Sequence, residues 1–455
     1  MKNIIMTLTA AALMSSCGIY KSYERPEDIK TDGLYGQGIE ETSDSLGLAA
    51  LPWRSLFTDP ALQTLIETGL EQNTDMRSAE LRIEESEAAL LAAKLSFLPN
   101  LAFAPQGNLS GVDWKSGSKT YTLPLSASWQ VDLFGSLRNE KKKSEVALAQ
   151  SKAYKQAVQT QLIASIANYY YTLAMLDAQL EISEKTAKNW KRNVEINKAL
   201  QEVGDANDAA VSQAEGNYFN VCSQIVDLKN QIRTLENSFS TLLGNVPGKI
   251  NRGSIYDWKA PAEITTGIPA ATLANRPDVK NAELALATAF YTTNAARSAF
   301  YPALNLSGSI AWTNNLGNMI VNPGEWIWNA LGSLTQPIFQ NGKLRANLKI
   351  SKAQQEEAKL AFQQTLLDAG AEVNTAMAKI QDNAEKEQLN KQQIVSLERA
   401  VKSTELLMQN SQTNYLQVLT AQQTLLSAQL NLVSTQFAGI QGTIELYQAL
   451  GGGIK

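Results

Sequence analysis

The sequence predicts a mainly α protein with a smaller β component, internally duplicated. Its long coiled-coil helices form a helical barrel, and its two β-hairpins, four strands per protomer, belong to a barrel shared between copies. Three observations predict this. Apolar residues recur at threes and fours along two very long stretches, a strict period of two appears in two short ones, and the order of landmarks is repeated in the second half.

The chain opens with Lys2, an apolar stretch from Ile4 to Leu13 and then small residues, the pattern of a secretion signal over residues 1–16. Leu13-Met14-Ser15-Ser16-Cys17 resembles a bacterial lipoprotein signal, in which the thiol is acylated and becomes the new N-terminus; the alternative is an ordinary signal peptide that happens to contain a cysteine. On the first reading residues 17–60 are a lipidated tether. Two acyl linkages would anchor it firmly, since each buried methylene adds about 0.8 kcal/mol.

A first helix precedes Pro99. The hairpin that follows, over residues 100–133, has one strand from Leu101 to Gly111, with Leu101, Phe103 and Leu109 on one face and Gln106, Asn108 and Ser110 on the other. A Gly/Ser/Lys-rich loop is expected from Trp114 to Thr120. The return strand alternates without a break: Tyr121, Leu123, Leu125, Ala127, Trp129, Val131 and Leu133 share one face, and Thr122, Pro124, Ser126, Ser128, Gln130 and Asp132 the other. Then Val158, Leu162, Ile166, Tyr169, Leu173, Leu176 and Leu180 mark a coiled-coil seam. The helix around it, from Asn139 to Leu200, is about 93 Å long if unbroken, too long for a compact domain.

The second half repeats these landmarks. Asp75, Ala79, Glu80 and Leu81 before Pro99 recur as Asp278, Ala282, Glu283 and Leu284 before Pro302; Leu137-Arg138 recurs as Leu344-Arg345, and Leu243-Gly244 as Leu450-Gly451. Leu366, Ala369, Val373, Ala376 and Ile380 repeat the seam. In the second hairpin, residues 303–338, Leu304, Leu306, Ile310 and Trp312 alternate with Asn305, Ser307, Ser309 and Thr313. A return strand is expected from near Trp328, with Leu331 on the polar face. The repeats are placed at 61–243 and 273–455, with a Pro/Gly-rich connector at 244–272.

A strand of about nine to eleven residues, apolar on one face, suits a tilted bilayer crossing, and Trp114, Trp129, Trp312, Trp326 and Trp328 would form an aromatic girdle. A soluble sandwich edge is the alternative. Four strands cannot close a membrane barrel, and an open edge in lipid leaves backbone groups unpaired, so several copies must share one wall. No segment after the leader has the roughly 18 uninterrupted apolar residues of a spanning helix.

Composition narrows the function further. Lys+Arg number 40 against 44 Asp+Glu, which provides no basic field for nucleic acid. The chain has no His, which removes the commonest general base and transition-metal ligand, so no metal or other cofactor is expected. Gly244-Asn245-Val246-Pro247-Gly248-Lys249 lacks the spacing and the hydroxyl of a phosphate loop, and Ser116-Gly117-Ser118-Lys119 stands without companion motifs, so no catalytic residue is assigned and an enzyme is not expected. Cys222 reads as a small buried residue in a helix. Neither the missing His nor the 8 Met supports a dedicated soft-metal route.

Asn275-Arg276-Pro277-Asp278-Val279 with Ala282-Glu283, the early Trp53-Arg54-Ser55-Leu56-Phe57 with Asp59-Pro60, and Phe300-Tyr301-Pro302 entering a strand together resemble the TolC-like outer membrane efflux proteins, especially their lipoprotein, NodT-like branch. The resemblance covers nearly the whole mature chain. It implies a homotrimer with a twelve-stranded outer-membrane barrel and a tapering helical barrel extending into the periplasm. This would be a passive duct for small molecules, fed by an inner-membrane pump through a periplasmic adaptor. It places adaptor docking at the helix turns Val203, Gly204, Asp205 and Asn410, Ser411, Gln412, of which only the first keeps a Val-Gly pair. Where the family often carries pore-narrowing carboxylates, this chain has Gln417 and Thr420. Asp205, Asp208, Tyr415 and Leu416 are the other constriction candidates, although Asp208 also suits a solvated helix start. Arg276-Pro277-Asp278 is read as a fold marker, with Pro277 in the first helical turn and Asp278 at the positive helix end. The rival reading is a periplasmic coiled-coil scaffold or adaptor without a membrane pore.

Overall fold

The computed structural model describes residues 21–26, 29, 52–113, 115–204, 207–259, 273, 275–317, 319–410 and 415–452. The elements are α1 (Trp53–Leu56), α2 (Pro60–Gln72), α3 (Thr74–Leu95), β1 (Asn100–Phe103), β2 (Gln106–Val112), β3 (Lys115–Val131), α4 (Ser136–Glu202), α5 (Asp208–Leu242), α6 (Pro277–Ser298), β4 (Ala303–Leu316), β5 (Met319–Thr335), α7 (Lys343–Gln409) and α8 (Tyr415–Ala449). Helices α4 and α7 each have 67 residues, and α5 and α8 each have 35. At 1.5 Å per residue α4 spans about 100 Å without a break, slightly longer than its seam predicts. The chain forms two compact units, one of residues 1–30, 81–153 and 280–364 and the other of residues 31–80, 154–279 and 365–455.

The first unit carries the sheet, ordered β1-β3-β4-β5 with β2 also on β3, and every pairing is antiparallel. β1 and β2 hold the same register on β3, so they are one strand broken at Ala104-Pro105 rather than the continuous strand expected. The break lies opposite Pro124. Its carbonyl accepts from the Ala104 N–H at 3.4 Å, so the N–H that proline lacks would have pointed to this same edge. The β3–β4 ladder, on the other side of β3, continues through Pro124↔Ala311.

Two expectations are corrected here. Residues 115–120 belong to β3, and the hairpin turns at once between Val112 and Lys115, with Asp113 at φ 53°. Ser, Gly and Lys in this stretch mimic a loop because no apolar face is built there. β5 likewise begins at Met319, well before Trp328, and runs through Asn322-Pro323-Gly324, residues that read as a turn in isolation.

The second unit is helical. α4 and α5 pair antiparallel through Lys198–Glu215 (2.7 Å), Lys229–Glu184 (2.8 Å) and the Tyr169–Phe239 ring contact. α7 and α8 do so through Lys379–Glu445 (2.6 Å), Asn390–Thr435 (2.9 Å) and Gln436–Glu387 (3.0 Å). α4 meets α8 through Gln448–Gln161, Gln179–Ser434 and Asn193–Gln422, and α5 meets both where Val221 packs with Ala187 and Trp190 of α4 and Leu426 of α8. Seam residues Leu162, Ile166, Leu173 and Leu176 are buried, as are Leu366, Ala369, Val373 and Ala376. Beside the α4 seam Tyr170 rather than Tyr169 is fully buried; its hydroxyl donates to Asp59 and accepts from the Gly253 N–H. Cys222 is half-buried rather than buried.

Both helical hairpins close alike. Gly244 (φ 76°) and Gly451 (φ 89°) follow α5 and α8 in left-handed conformation, and the N–H groups of Asn245 and Gly452 return to the Ser240 and Tyr447 carbonyls. A β-carbon at Gly244 would lie 2.8 Å from the Gln72 carbonyl oxygen, and one at Gly451 3.1 Å from the Arg276 Cα. These glycines let α3 and α6 begin directly against the helix ends.

Candidate membrane face and helix turns

The register assembles the sheet faces. Leu123, Leu125, Ala127, Trp129 and Val131 on β3 lie opposite Trp312, Ile310, Gly308, Leu306 and Leu304 on β4; these in turn face Trp326, Trp328, Ala330, Gly332 and Leu334 on β5. Leu101 and Phe103 extend this face onto β1. The opposite face carries Thr122, Ser126, Ser128 and Gln130, then Thr313, Ser309, Ser307 and Asn305, then Glu325, Asn329 and Ser333. One surface is thus apolar across every strand and the other mainly polar. Leu123, Leu125, Trp129, Ile310 and Leu334 are exposed, not packed into a core. A large contiguous apolar surface of this kind marks an interaction site, and for a sheet with alternating faces that site is lipid.

Of the predicted girdle, Trp129 donates its indole N–H to the Phe97 carbonyl (2.9 Å), and Trp312 donates to the Tyr121 hydroxyl (3.2 Å) and packs edge-on against Trp326 at 5.4 Å. Trp326 is 67% and Trp328 80% exposed. Trp114 lies outside the described residues. Sequence reasoning missed further aromatic and aliphatic residues where strands meet helices: Phe134 stacks on Tyr301 at 4.9 Å, and Ile338 and Phe339 are 96% and 80% exposed. The signal was a pair of large apolar residues directly after Pro337, outside any period of two.

The helix turns are open. Val203 is 71% exposed, and Gly204 (φ 86°) closes α4 by donating its N–H to the Gln201 carbonyl at 3.1 Å. Asn207 caps α5, its side-chain oxygen accepting from the Ala210 N–H at 2.9 Å. Asp208 is exposed in the first turn, where Gln201 donates to its carboxylate at 3.2 Å. At the other turn Asn410 is exposed, with its side chain donating to the Leu406 carbonyl. At the start of α8, Leu416, Gln417 and Thr420 are exposed while Val418 and Leu419 are buried. Cys17, Asp205, Ser411 and Gln412 lie outside the described residues, as does the Tyr415 side chain.

Arg276 does more than mark the fold. Almost fully buried, it donates to both Asp278 oxygens (3.0 and 2.7 Å), to Glu372 on α7 (2.6 Å) and to the Ala449 carbonyl at the end of α8 (2.7 Å). Burial disfavours its charge, but the bonds to Asp278 and Glu372 outweigh burial and raise its pKa. Burial likewise pushes the Asp278 carboxyl up, yet Arg276 and the Val279 N–H hold it below its ordinary value. In the connector, Arg252 binds Asp177 on α4 and Glu236 on α5.

No helix among the described residues is long and apolar enough to cross a membrane, and no cluster of metal-ligating side chains is found among them. The sequence pattern of the outer membrane efflux protein family matches residues 65–245 and 268–452. The cation efflux system protein CusC of Escherichia coli is 28% identical over 460 residues, 99% of both chains. The toluene efflux pump outer membrane protein TtgC of Pseudomonas putida is 27% identical, covering 99% of this chain and 96% of its own. The open-state MtrE outer membrane channel of Neisseria gonorrhoeae superposes with a TM-score of 0.83 at 26% identity, over 96% of this chain and 98% of that one. With the amphipathic sheet and the paired long helices already established, these matches lead to one conclusion: the chain belongs to the outer membrane efflux protein family.

Proposed function

We propose that this outer membrane efflux protein works as a passive homotrimeric duct, anchored through acylated Cys17 and fed by an inner-membrane pump through a periplasmic adaptor. The observation that carries this reading is the sheet: four strand positions, apolar on one face and largely polar on the other, with unpaired edges at β1/β2 and β5. β1/β2 and β5 run in opposite directions, so β5 of one copy can pair antiparallel with β1/β2 of the next, and closure removes every edge from lipid. Three copies supply about twelve strands. At a spacing of ~4.8 Å and a tilt of ~40°, these enclose a backbone radius of about 12 Å, wide enough for a water-filled lumen. The long helices form the periplasmic wall, and exposed apolar residues, Phe219 and Val226 on α5 and Leu389, Val395 and Leu406 on α7, suit contact with neighbouring copies.

The turns at Val203-Gly204 and Asn410 are the adaptor-docking surfaces in this reading, and Leu416, Gln417 and Thr420 line the narrow entrance. The duct performs no chemistry on its cargo. Relatives named for cations and for toluene match over nearly the whole chain alike, in keeping with a conduit whose cargo is chosen by the pump. An extended amphipathic sheet favours this reading over a scaffold without a pore.

Purified full-length protein reconstituted in planar bilayers tests it. Stepwise conductance together with a heat-sensitive trimer band in detergent is the expected result; a monomer with no conductance overturns the proposal.

A further inference from the structure

The polar face of the sheet carries one apolar row. Ile327 on β5 lies opposite Ala311 on β4, Ala311 lies opposite Pro124 on β3, and the Pro124 carbonyl accepts from the Ala104 N–H at 3.4 Å. Strand alternation puts Ala104, Pro124, Ala311 and Ile327 on the same side. The rows on either side are hydrophilic: Thr122, Thr313 and Glu325 on one, Ser126, Ser309 and Asn329 on the other. Leu331, opposite Ser307, adds a second large apolar side chain to this face, four residues from Ile327 along β5. Ile327 is 41% and Leu331 59% exposed, so both present apolar surface that the chain leaves uncovered, while Ala311 at 4% is the covered floor between Ile327 and Pro124.

We infer that these residues form an apolar collar on the lumen wall, which contacts the hydrocarbon parts of amphiphilic organic solutes as they leave. The inference rests on the trimeric-barrel reading, because only closure turns this face toward a lumen and repeats the row in each copy. Magnitude decides the collar's role. Hydrophobic constrictions gate by dewetting when they are narrow, and a backbone radius of about 12 Å leaves an open bore even with side chains projecting inward. The collar therefore does not shut the pore. It provides a weakly hydrated patch where apolar groups lose contact with water and small ions pass unhindered.

The test uses full-length channels in planar bilayers, with tetrapentylammonium as the probe and potassium as the current carrier. Wild type is expected to be blocked reversibly. Ile327→Thr should weaken the block about fourfold beyond its isostere Ile327→Val, equivalent to ~0.8 kcal/mol for the one methyl-sized group that separates Val from Thr at ~1.4 kcal/mol per tenfold, with potassium conductance little changed. Ile327→Val, one methylene shorter than Ile, should itself lose no more than about fourfold, and Pro124→Thr, in the same row, is expected to weaken the block as well. Channels from wild type and both threonine variants with equal block constants overturn the collar while leaving the duct intact. Absence of conductance from wild type overturns the barrel reading itself.

Discussion

Asn73 and Arg276 occupy corresponding positions at the starts of α3 and α6, and each donates a side-chain hydrogen bond to the carbonyl that ends the matching helical hairpin. Asn73 donates to Leu242 at 2.9 Å and Arg276 to Ala449 at 2.7 Å. Asn73 also caps α3, its oxygen accepting from the N–H groups of Asp75 and Met76. Different chemistries thus serve the same end, satisfying a carbonyl that a helix terminus leaves without an intrahelical partner.

Removing either should destabilise, but unequally. Arg276→Ala strips partners from Asp278, Glu372 and the Ala449 carbonyl at a buried site, and should lower stability by about 3 kcal/mol. Asn73→Ala loses a cap and one carbonyl bond, for about 1–2 kcal/mol. Denaturant unfolding of the full-length protein in detergent measures both, and a smaller loss for the arginine variant would contradict this assignment.

The Asp278 carboxyl is held below its ordinary pKa, so the sign of its pH dependence is fixed. Its contribution is fully present above the unfolded-state carboxylate pKa of about 4 and disappears as pH falls through the lower folded value. Wild type should therefore lose stability on acidification in that window more steeply than Asp278→Asn. Unfolding midpoints between about pH 2 and 5 check this, and parallel curves would refute it.

The sheet faces predict a contrast between adjacent residues. Leu125→Arg puts a charge on the apolar face and should impair trimer insertion, at about 2–4 kcal/mol per protomer near the bilayer midplane. Ser126→Arg, on the other face, should still assemble and shift reversal potentials toward anion selectivity. Native gel mobility and bilayer recordings separate the two.

In the proposed duct, exposed Gln417 and Thr420 leave the entrance without a carboxylate at those positions. Multivalent cations applied from the helix-turn side should then block weakly. Gln417→Glu, which would place an acid in each copy of the proposed trimer, should strengthen that block at least about tenfold at low salt and less at high salt. An unchanged block would place the constriction elsewhere.

Acylation of Cys17 predicts a product whose mass exceeds that of the peptide cleaved before this residue by that of a diacylglyceryl and one further acyl group. Cys17→Ala should lose that mass increment in intact-mass spectrometry. Detection of an unmodified thiol in the mature wild-type protein would refute the anchor.

Much of the membrane face was legible because every second residue from Tyr121 to Val131, and Leu304, Leu306, Ile310 and Trp312, carry the apolar side, and period two needs no partner to be read. Lys115 to Thr120 were not, since strand extending beyond an apolar band has no hydrophobic signature, and Met319 to Glu325 were not, since Met319-Ile320-Val321 is apolar without alternation and Asn322-Pro323-Gly324 carries turn chemistry. The first helix turn was placed by the resemblance through its Val203-Gly204 pair, and Gly204 takes the positive φ that ends α4 there. Arg276's reach was hidden because Glu372 and Ala449 are distant in sequence, and nothing local at Asn275-Arg276-Pro277 indicates that a side chain spans three helices. The apolar row was half visible: Leu331 stood out, while Pro124, Ala311 and Ile327 become a set only when the register is known.

The short segment that follows Cys17 also has a mechanical consequence. Arg25 grips Glu283 through both carboxylate oxygens, at 2.8 and 2.5 Å, and its guanidinium lies over the Phe362 ring, while the Tyr23 N–H donates to the Tyr291 hydroxyl. From Cys17 to Tyr23 the contour is at most about 20 Å, which makes for a short leash. With the proposed acylation at Cys17, a lateral tug on the lipid would reach α6 and α7 first, through Glu283, Tyr291 and Phe362.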